Sequence, residues 1–175
     1  MVAVTAEWEV VERRRVAYEP DNTRFIYHHA AEIARNKAEP LIATARLQAA
    51  DKARKQIQDL ISAVSASRRV VVGACVPGGN SKLPSALGDI LAVHARIHAA
   101  EGAFYRDILA DALRGLGVPV RRAPERDLWA IAGTEMDCRE DRLRDRLAAL
   151  GKELGPPWSE DQKLACLAAF IALKT

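Results

Sequence analysis

The amino-acid sequence predicts one α/β domain over residues 1–175, with an N-terminal β-hairpin, a parallel β-α-β part and several helices. Three observations predict this fold class. A valine-rich segment near the N-terminus is followed by turn residues, a short apolar run lies near the middle of the chain, and a long helical pattern separates that run from a further apolar segment. A chain of 175 residues is long enough to bury a core within one domain.

The N-terminal hairpin is predicted from strand and turn patterns. Residues 8–18 combine valines with charged residues, residues 19–22 supply Glu-Pro-Asp-Asn turn chemistry, and residues 23–27 have the composition of a second strand. A pattern of this kind around turn-forming residues is typical of two antiparallel strands. Residues 6–15 are also compatible with a helix.

A helix and then a buried strand are predicted next. Residues 30–64 are rich in helix-favouring residues, and their apolar positions recur at helical spacing. Pro40 has no amide hydrogen to donate, so we expect a break or kink there. The apolar run at 68–76 predicts a strand with both faces covered, which ends in a loop at 77–80.

The second half of the chain completes the β-α-β unit and adds helices. Residues 85–116 predict a long helix and residues 118–123 a strand, so we expect two parallel strands with a right-handed crossover. Closing helices are predicted over 141–154 and 159–173. Ser159 begins an S-x-x-Q capping box, and the helix that follows is apolar nearly all round, so we expect it to be buried.

Composition limits the environment and the partners of the protein. Hydrophobic residues make up 49% of the chain and charged residues 28%, and the formal net charge of +3 is compatible with a nucleic-acid partner without requiring one. No apolar run approaches a membrane span, and the N-terminus lacks the pattern of a signal peptide. The cysteines Cys75, Cys138 and Cys166 are far apart and predict neither a disulfide framework nor a zinc ribbon, so we expect a cytoplasmic protein.

A polar cluster on the long predicted helix is the main candidate site. At about 100° per residue, His98 lies about 40° from His94 and Glu101 about 20° from it, on the same side as the apolar residues. The cluster is therefore predicted to face the core. Because a carboxylate buried without partners is costly, Glu101 must be neutralised, paired, bound to a metal ion or open to a cleft.

The cluster has a functional and a structural interpretation. The i, i+4 spacing of His94 and His98 suits one metal ion, to which Glu101 could add an oxygen ligand. Alternatively, Glu101 pairs with one histidine and closes a satisfied polar pocket. A site built on the two histidines alone would favour zinc, because imidazole suits zinc whereas carboxylates suit Mg²⁺ or Mn²⁺.

Other features carry weaker functional signals. Asp161, in the first turn of the last helix, is a second acidic candidate, although the helix dipole alone explains an acid there. Gly78 and Gly79 are best explained as a tight turn, since no phosphate-binding glycine motif surrounds them. Arginine runs at 13–15 and 121–122 are compatible with phosphate contact but are more typical of solvated strand edges.

The order of hairpin, helix, strand, helix, strand and closing helices resembles the ribonuclease H-like fold, in the branch of the RuvC-type Holliday-junction resolvases. The resemblance implies that the hairpin and the parallel β-α-β part form one mixed sheet flanked by helices. Members of that family hold divalent metal ions with acids on the first strand, in the middle of the chain and near the start of the last helix. The resemblance implies Glu101 as the middle acid and Asp161, within the segment 158–163, as the last one. The first-strand acid would be Glu9 or Glu12, and the sequence does not choose between them.

Three functional hypotheses follow. The resemblance implies a divalent-metal-dependent phosphodiesterase or nuclease, in which Glu101 and Asp161, helped by His94 or His98, bind Mg²⁺ or Mn²⁺. The second hypothesis is a non-catalytic ribonuclease H-like domain that binds a partner or nucleic acid. The third is a hydrolase unrelated to nucleic acid, with zinc or another transition metal at His94 and His98. An exposed apolar stripe would favour a homodimer.

Overall fold

Two small β-sheets and a series of helices make up the computed structural model, which describes residues 1–16 and 25–174. In chain order the elements are β1 (Val2–Val4), β2 (Val10–Arg13), α1 (Ile26–Glu32), α2 (Arg35–Ala66), β3 (Ala74–Gly78), α3 (Leu87–Leu91), α4 (His94–Gly115), β4 (Val120–Pro124), α5 (Leu128–Glu135), α6 (Glu140–Leu154) and α7 (Glu160–Ala172). The architecture is therefore mixed α/β, as predicted. Within the described residues, the hairpin β1-β2 and the parallel pair β3-β4 are separate two-stranded sheets rather than one mixed sheet.

The N-terminal hairpin is present, but its strands differ from the predicted pair. β1 pairs antiparallel with β2. Because β2 lies inside the predicted strand 8–18, the helical alternative for residues 6–15 is wrong. The predicted turn at 19–22 lies outside the described residues, as do residues 23–24 of the predicted second strand.

The second predicted strand is wrong where the structure describes it, because α1 begins at Ile26. Ile26 is fully buried, in a core shared with α2 and α4. Phe25 adopts the left-handed conformation (φ 58°) at the N-cap, and the Glu101 carboxylate accepts hydrogen bonds from the amides of Tyr27 and His28. A side chain that is distant in sequence thus satisfies the first amides of α1, which the local pattern does not reveal.

Helix α2 runs continuously past Pro40, so the predicted break at this proline is wrong. The chain breaks instead at residues 33–34, between α1 and α2. Pro40 lies in the second turn of α2 and is exposed, whereas small residues along the same helix are buried: Ala38, Ala45, Ala49 and Ala53. Close packing of these alanines, several of them in the core shared with α1 and α4, outweighs the local cost of the proline.

Strands β3 and β4 pair in parallel, which confirms the predicted β-α-β unit. However, β3 begins only at Ala74, and the preceding Val70 and Val72 are 82% and 64% exposed. The prediction of a covered strand over 68–76 is therefore wrong for its valine run, since β-favouring side chains form a strand only where a partner and a packed face are available. Residues 77–78, predicted to lie in a loop, continue β3.

The predicted helix 85–116 consists of two helices, because Val93 between α3 and α4 has an extended backbone. Helices α6 and α7 nearly coincide with the predicted closing helices. The side chain of Gln162 accepts a hydrogen bond from the Ser159 amide at 2.6 Å, which confirms the capping box. None of the helices in the described parts of the chain has both the length and the apolarity to cross a membrane.

Two hydrophobic cores hold the helices. The first surrounds α7, which is largely buried as predicted, and includes Leu128, Leu143, Leu147, Leu167 and Phe170. The second joins α1, α2 and α4 and includes Ile26, Ala49, Ala53, Phe104 and Ile108. This second core holds α1 beside α4, and the candidate site lies at that junction.

Candidate metal centre

The site lies where α1 packs beside the N-terminal end of α4. His94 is the first residue of α4, His98 lies one turn farther on, and Glu101 follows about one turn later. Glu101 is buried, with 8% exposure, whereas His94 and His98 are exposed. The prediction that all three face the core is therefore wrong for the two histidines, which lie on an exposed side of α4 although Ile97 between them is buried.

A third histidine, His28 of α1, converges on the other two. One ligand atom from each of His28, His94 and His98 lies within 4.8 Å of the others. Nε2 of His98 is 2.9 Å from Nε2 of His94, and the ring centroid of His28 lies 4.7 Å from that of His98 and 5.5 Å from that of His94. These residues form the histidine triad, in which imidazoles from two helices meet at one point.

The Glu101 carboxylate supports the triad from the buried side. Its Oε1 accepts hydrogen bonds from the backbone amides of Tyr27 at 2.7 Å and His28 at 3.2 Å, and lies 3.2 Å from Nδ1 of His28. The free amides at a helix N-terminus favour an anion in this position. Because Nδ1 of His28 faces the carboxylate, Nε2 is the ring nitrogen that remains for a metal ion. Oε2 of Glu101 is buried and has no hydrogen-bond partner in the described parts of the chain.

Packing against both α2 and α4 fixes the position of α1. With seven residues, α1 is too short to be stable alone. The ring of Tyr27 lies edge-to-face against that of Phe104, with centroids 6.1 Å apart, and Ile26 is fully buried beside it. The location of His28 therefore depends on α4, which also carries the other two members of the triad.

The remaining predicted acids lie elsewhere. Asp161 is exposed in the first turn of α7. Glu9 pairs with Arg69 at 2.9 Å, and Glu12 pairs with Arg14 at 3.4 Å. Within residues 1–16 and 25–174, the histidine triad is the one group of three or more His, Cys, Asp or Glu side chains whose ligand atoms lie close enough to share an ion. The structure therefore does not bring Asp161, Glu9 or Glu12 to the triad.

His28 is absent from the predicted site residues, because the sequence pattern assigns residues 23–27 to a strand. The only local signal is a pair of adjacent histidines, His28 and His29, directly after the hydrophobic residues 25–27. These two histidines point to a metal site only once the segment is known to be a helix that packs against α4. A histidine at the end of a predicted hairpin has no evident partner in sequence.

Most of the arginines in the two runs make polar contacts in the structure. Arg13 donates hydrogen bonds to backbone carbonyl groups at the end of α6 and just after it. Arg121 pairs with Glu135 at 2.9 Å, and Arg122 pairs with Asp107 at 3.0 Å. Arg13 and Arg121 therefore connect neighbouring elements, whereas Arg122 also lines a cleft.

This cleft, with a volume of about 600 Å³, opens beside the histidine triad. Its lining includes residues 78–81 at the end of β3 and just after it, His98 of the triad, and Arg106 and Arg122. His98 therefore belongs both to the triad and to the wall of the cleft. We call this space the arginine cleft.

Comparison of the chain with protein-family models, with curated proteins and with solved structures gives no match. The geometry of the triad and of its surroundings therefore carries the assignment of a function.

Proposed function

We propose that this protein binds a transition-metal ion, with zinc the best fit, through the histidine triad. The proposal depends on the convergence of three imidazole groups whose ligand atoms lie within 4.8 Å of one another. Imidazole nitrogen suits zinc and related first-row ions. At a Zn–N distance of about 2.0–2.1 Å, the ligands of a tetrahedral ion lie about 3.4 Å apart, so small rotations of the side chains suffice to enclose an ion.

Hydrolysis is the reaction that such a centre supports best. Three protein ligands leave the fourth position of a tetrahedral ion to water or substrate, as in catalytic rather than structural zinc sites. Two of the three histidines are exposed, and the arginine cleft adjoins one of them. A water molecule activated by the metal ion could therefore meet a substrate held in that cleft.

The position of Glu101 supports the same function. Histidines that bind metal ions commonly donate their second ring N–H to a carboxylate, which fixes the orientation of the ring. Oε1 of Glu101 lies 3.2 Å from Nδ1 of His28, as this arrangement requires. Glu101 is therefore assigned to orient His28 rather than to bind the ion itself.

Zinc titration of the purified chain after treatment with EDTA tests the proposal. We expect one zinc ion to bind per chain. The substitutions His28→Ala, His94→Ala and His98→Ala each remove a ligand and should weaken binding by more than about 100-fold, since residues outside the ligand set already contribute about 10–100-fold. Bound zinc should also raise the Tm of the unaltered chain.

His29→Ala is the matched control. His29 is an exposed histidine that neighbours His28 on α1 and lies outside the triad. We expect its substitution to leave zinc affinity unchanged. Equal zinc affinity in the unaltered chain and in the three triad variants would refute the proposal, and so would an equal loss in His29→Ala.

A nuclease that uses Mg²⁺ or Mn²⁺ is a second candidate, together with the ribonuclease H-like assignment. The support for it is the order of an antiparallel hairpin followed by a parallel β-α-β unit. This proposal needs Glu101 and Asp161 to share the ion, whereas the structure leaves Asp161 apart from the triad that Glu101 supports. Asp161→Asn should then abolish Mn²⁺-dependent cleavage of DNA and leave zinc binding intact, whereas His28→Ala should do the reverse. Binding of DNA without cleavage would favour the non-catalytic domain.

A further inference from the structure

The arginine cleft has a lining that fits a phosphate group. Its volume of about 600 Å³ is that of a small-molecule site. The lining contains the side chains of Arg106 and Arg122 and, among the residues that the structure describes, no acidic side chain. A space of this size with two positive charges favours an anionic ligand.

Acids outside the lining hold the two arginines in place. Nη2 of Arg106 lies 3.7 Å from a carboxylate oxygen of Glu125, and Nη1 of Arg122 lies 3.0 Å from one of Asp107. A guanidinium group has five N–H donors, so these contacts leave other donors for a ligand. Arginine is well suited to phosphate because its planar donors match two phosphate oxygens at once.

Two glycines make room for the side chain of Arg106. A Cβ atom at Gly102, one turn earlier on α4, would lie 2.5 Å from Nη1 of Arg106, and a Cβ atom at Gly79 would lie 3.3 Å from the same atom. Glycine inside a helix is unfavourable relative to alanine. At position 102, however, the missing side chain lets the guanidinium group fold back beside the helix and reach the cleft.

We propose that the arginine cleft binds the phosphate group of a substrate whose reacting bond lies at the histidine triad. The role of this substrate rests on the proposed metal centre. His98 connects the two sites, because it belongs to the triad and also lines the cleft. A molecule anchored by Arg106 and Arg122 can therefore extend along His98 to the metal ion.

Titration of inorganic phosphate into the zinc-free chain, followed by calorimetry, tests the phosphate site alone. We expect Arg106→Gln and Arg122→Gln each to weaken phosphate binding by about tenfold or more. Gly102→Ala keeps both charges but displaces the Arg106 guanidinium group, so it should weaken binding as well. If Arg106→Gln fails to fold, Arg106→Lys should weaken binding in the same direction, since lysine lacks the planar donors.

Arg126→Gln is the matched control. Arg126 precedes α5, is paired with Asp127 and lies outside the cleft lining. Its substitution removes the same charge and should leave phosphate affinity unchanged. The inference is wrong if phosphate does not bind, if Gly102→Ala and Arg106→Gln bind it normally, or if Arg126→Gln weakens it equally.

Two further measurements separate the alternatives. Zinc titration of the same variants reports on the triad independently. If the chain binds zinc but not phosphate, only this inference is overturned. If it binds phosphate but not zinc, the proposed metal centre is overturned, and with it the role of the substrate. Phenyl phosphate should displace inorganic phosphate from the zinc-free chain. If it does not, the cleft accepts only the free ion and the assignment of a substrate is wrong.

Discussion

Glu101 serves two helices through a single carboxylate oxygen. It belongs to α4, caps the amides of Tyr27 and His28 in α1, and faces the ring of His28. The sequence predicts that this acid needs partners, because an unpaired buried carboxylate is costly. It does not identify them, since they are groups 73 and 74 positions away in a segment with a strand-like pattern.

Replacing Glu101 with glutamine should affect both stability and metal binding. Glutamine keeps the shape of the side chain but removes the charge that strengthens the hydrogen bonds to α1. We expect Glu101→Gln to lower the free energy of unfolding by about 1–3 kcal/mol and to weaken zinc binding about 10–100-fold. Urea unfolding and zinc titration measure the two effects.

An exposed glutamate provides the control for this substitution. Glu140 of α6 pairs with Arg144 at the surface, where both side chains are more than half exposed. We expect Glu140→Gln to change stability by less than about 1 kcal/mol and to leave zinc affinity unchanged. If zinc affinity is also unchanged in Glu101→Gln, the carboxylate does not orient His28.

Among the secondary-structure elements, prediction succeeds where the determining signals are local. Helix α7 begins where Ser159 and Gln162 predict, because both members of the capping box lie within one turn. The sequence pattern does not predict helix α1, because the first amides of this helix are satisfied by Glu101 of α4 rather than by a neighbouring side chain. Helix α2 passes Pro40 because the packing of distant elements outweighs a local preference.

Replacing Pro40 with alanine should stabilise the protein. In a helix, proline cannot donate a hydrogen bond to the carbonyl group four residues earlier, here that of Asn36. Pro40→Ala restores this donor in an exposed position of α2. We expect the free energy of unfolding to rise by about 1–2 kcal/mol, less than the full cost of a proline within a helix, because the unfolded chain also gains freedom. Thermal unfolding should show a higher Tm.

Pro84 provides a control of opposite sign. It lies outside the helices and strands, so Pro84→Ala mainly increases the freedom of the unfolded chain. We expect this change to lower stability by about 0.4–1 kcal/mol. A lower Tm in Pro40→Ala would show instead that the fixed backbone angle of the proline stabilises the start of α2.

Over the whole molecule, the order of the elements could be predicted better than the extent of the sheet. Two apolar runs joined by a helical stretch predict the parallel pairing of β3 and β4, because a crossover of that length favours parallel strands. The sequence does not reveal that the hairpin packs on α7 and forms its own sheet. Pairing between distant strands depends on tertiary contacts, which no local pattern encodes.

A buried thiol in the hydrophobic core around α7 should make the stability of the protein depend on pH in the alkaline range. Burial raises the pKa of the Cys166 thiol to about 12, so the folded chain keeps a proton that the unfolded chain has already released above about pH 8.5. Because the unfolded state then binds fewer protons, stability falls as the pH rises, by up to about 1.4 kcal/mol per pH unit from this thiol.

Urea unfolding of Cys166→Ala between pH 8 and pH 10.5 measures this effect. We expect the variant to be less stable at pH 8, because a small cavity remains, but to lose stability less steeply with pH than the unaltered chain. Cys138→Ala, at a half-buried thiol, is the control and should keep the original slope. Parallel slopes in all three proteins would show that the Cys166 thiol does not contribute.

The histidine triad has a consequence for the connectivity of the chain. In the sequence, His28 comes before α2, β3 and α3, whereas His94 and His98 come after them. An ion held by all three therefore acts as a cross-link that closes this long stretch into a loop. Such a link restricts mainly the unfolded chain, and the entropy it removes grows with loop length. Release of the proposed ion and detachment of α1 from α4 would then be coupled, so the fraction of molecules with α1 detached would depend on the concentration of the metal.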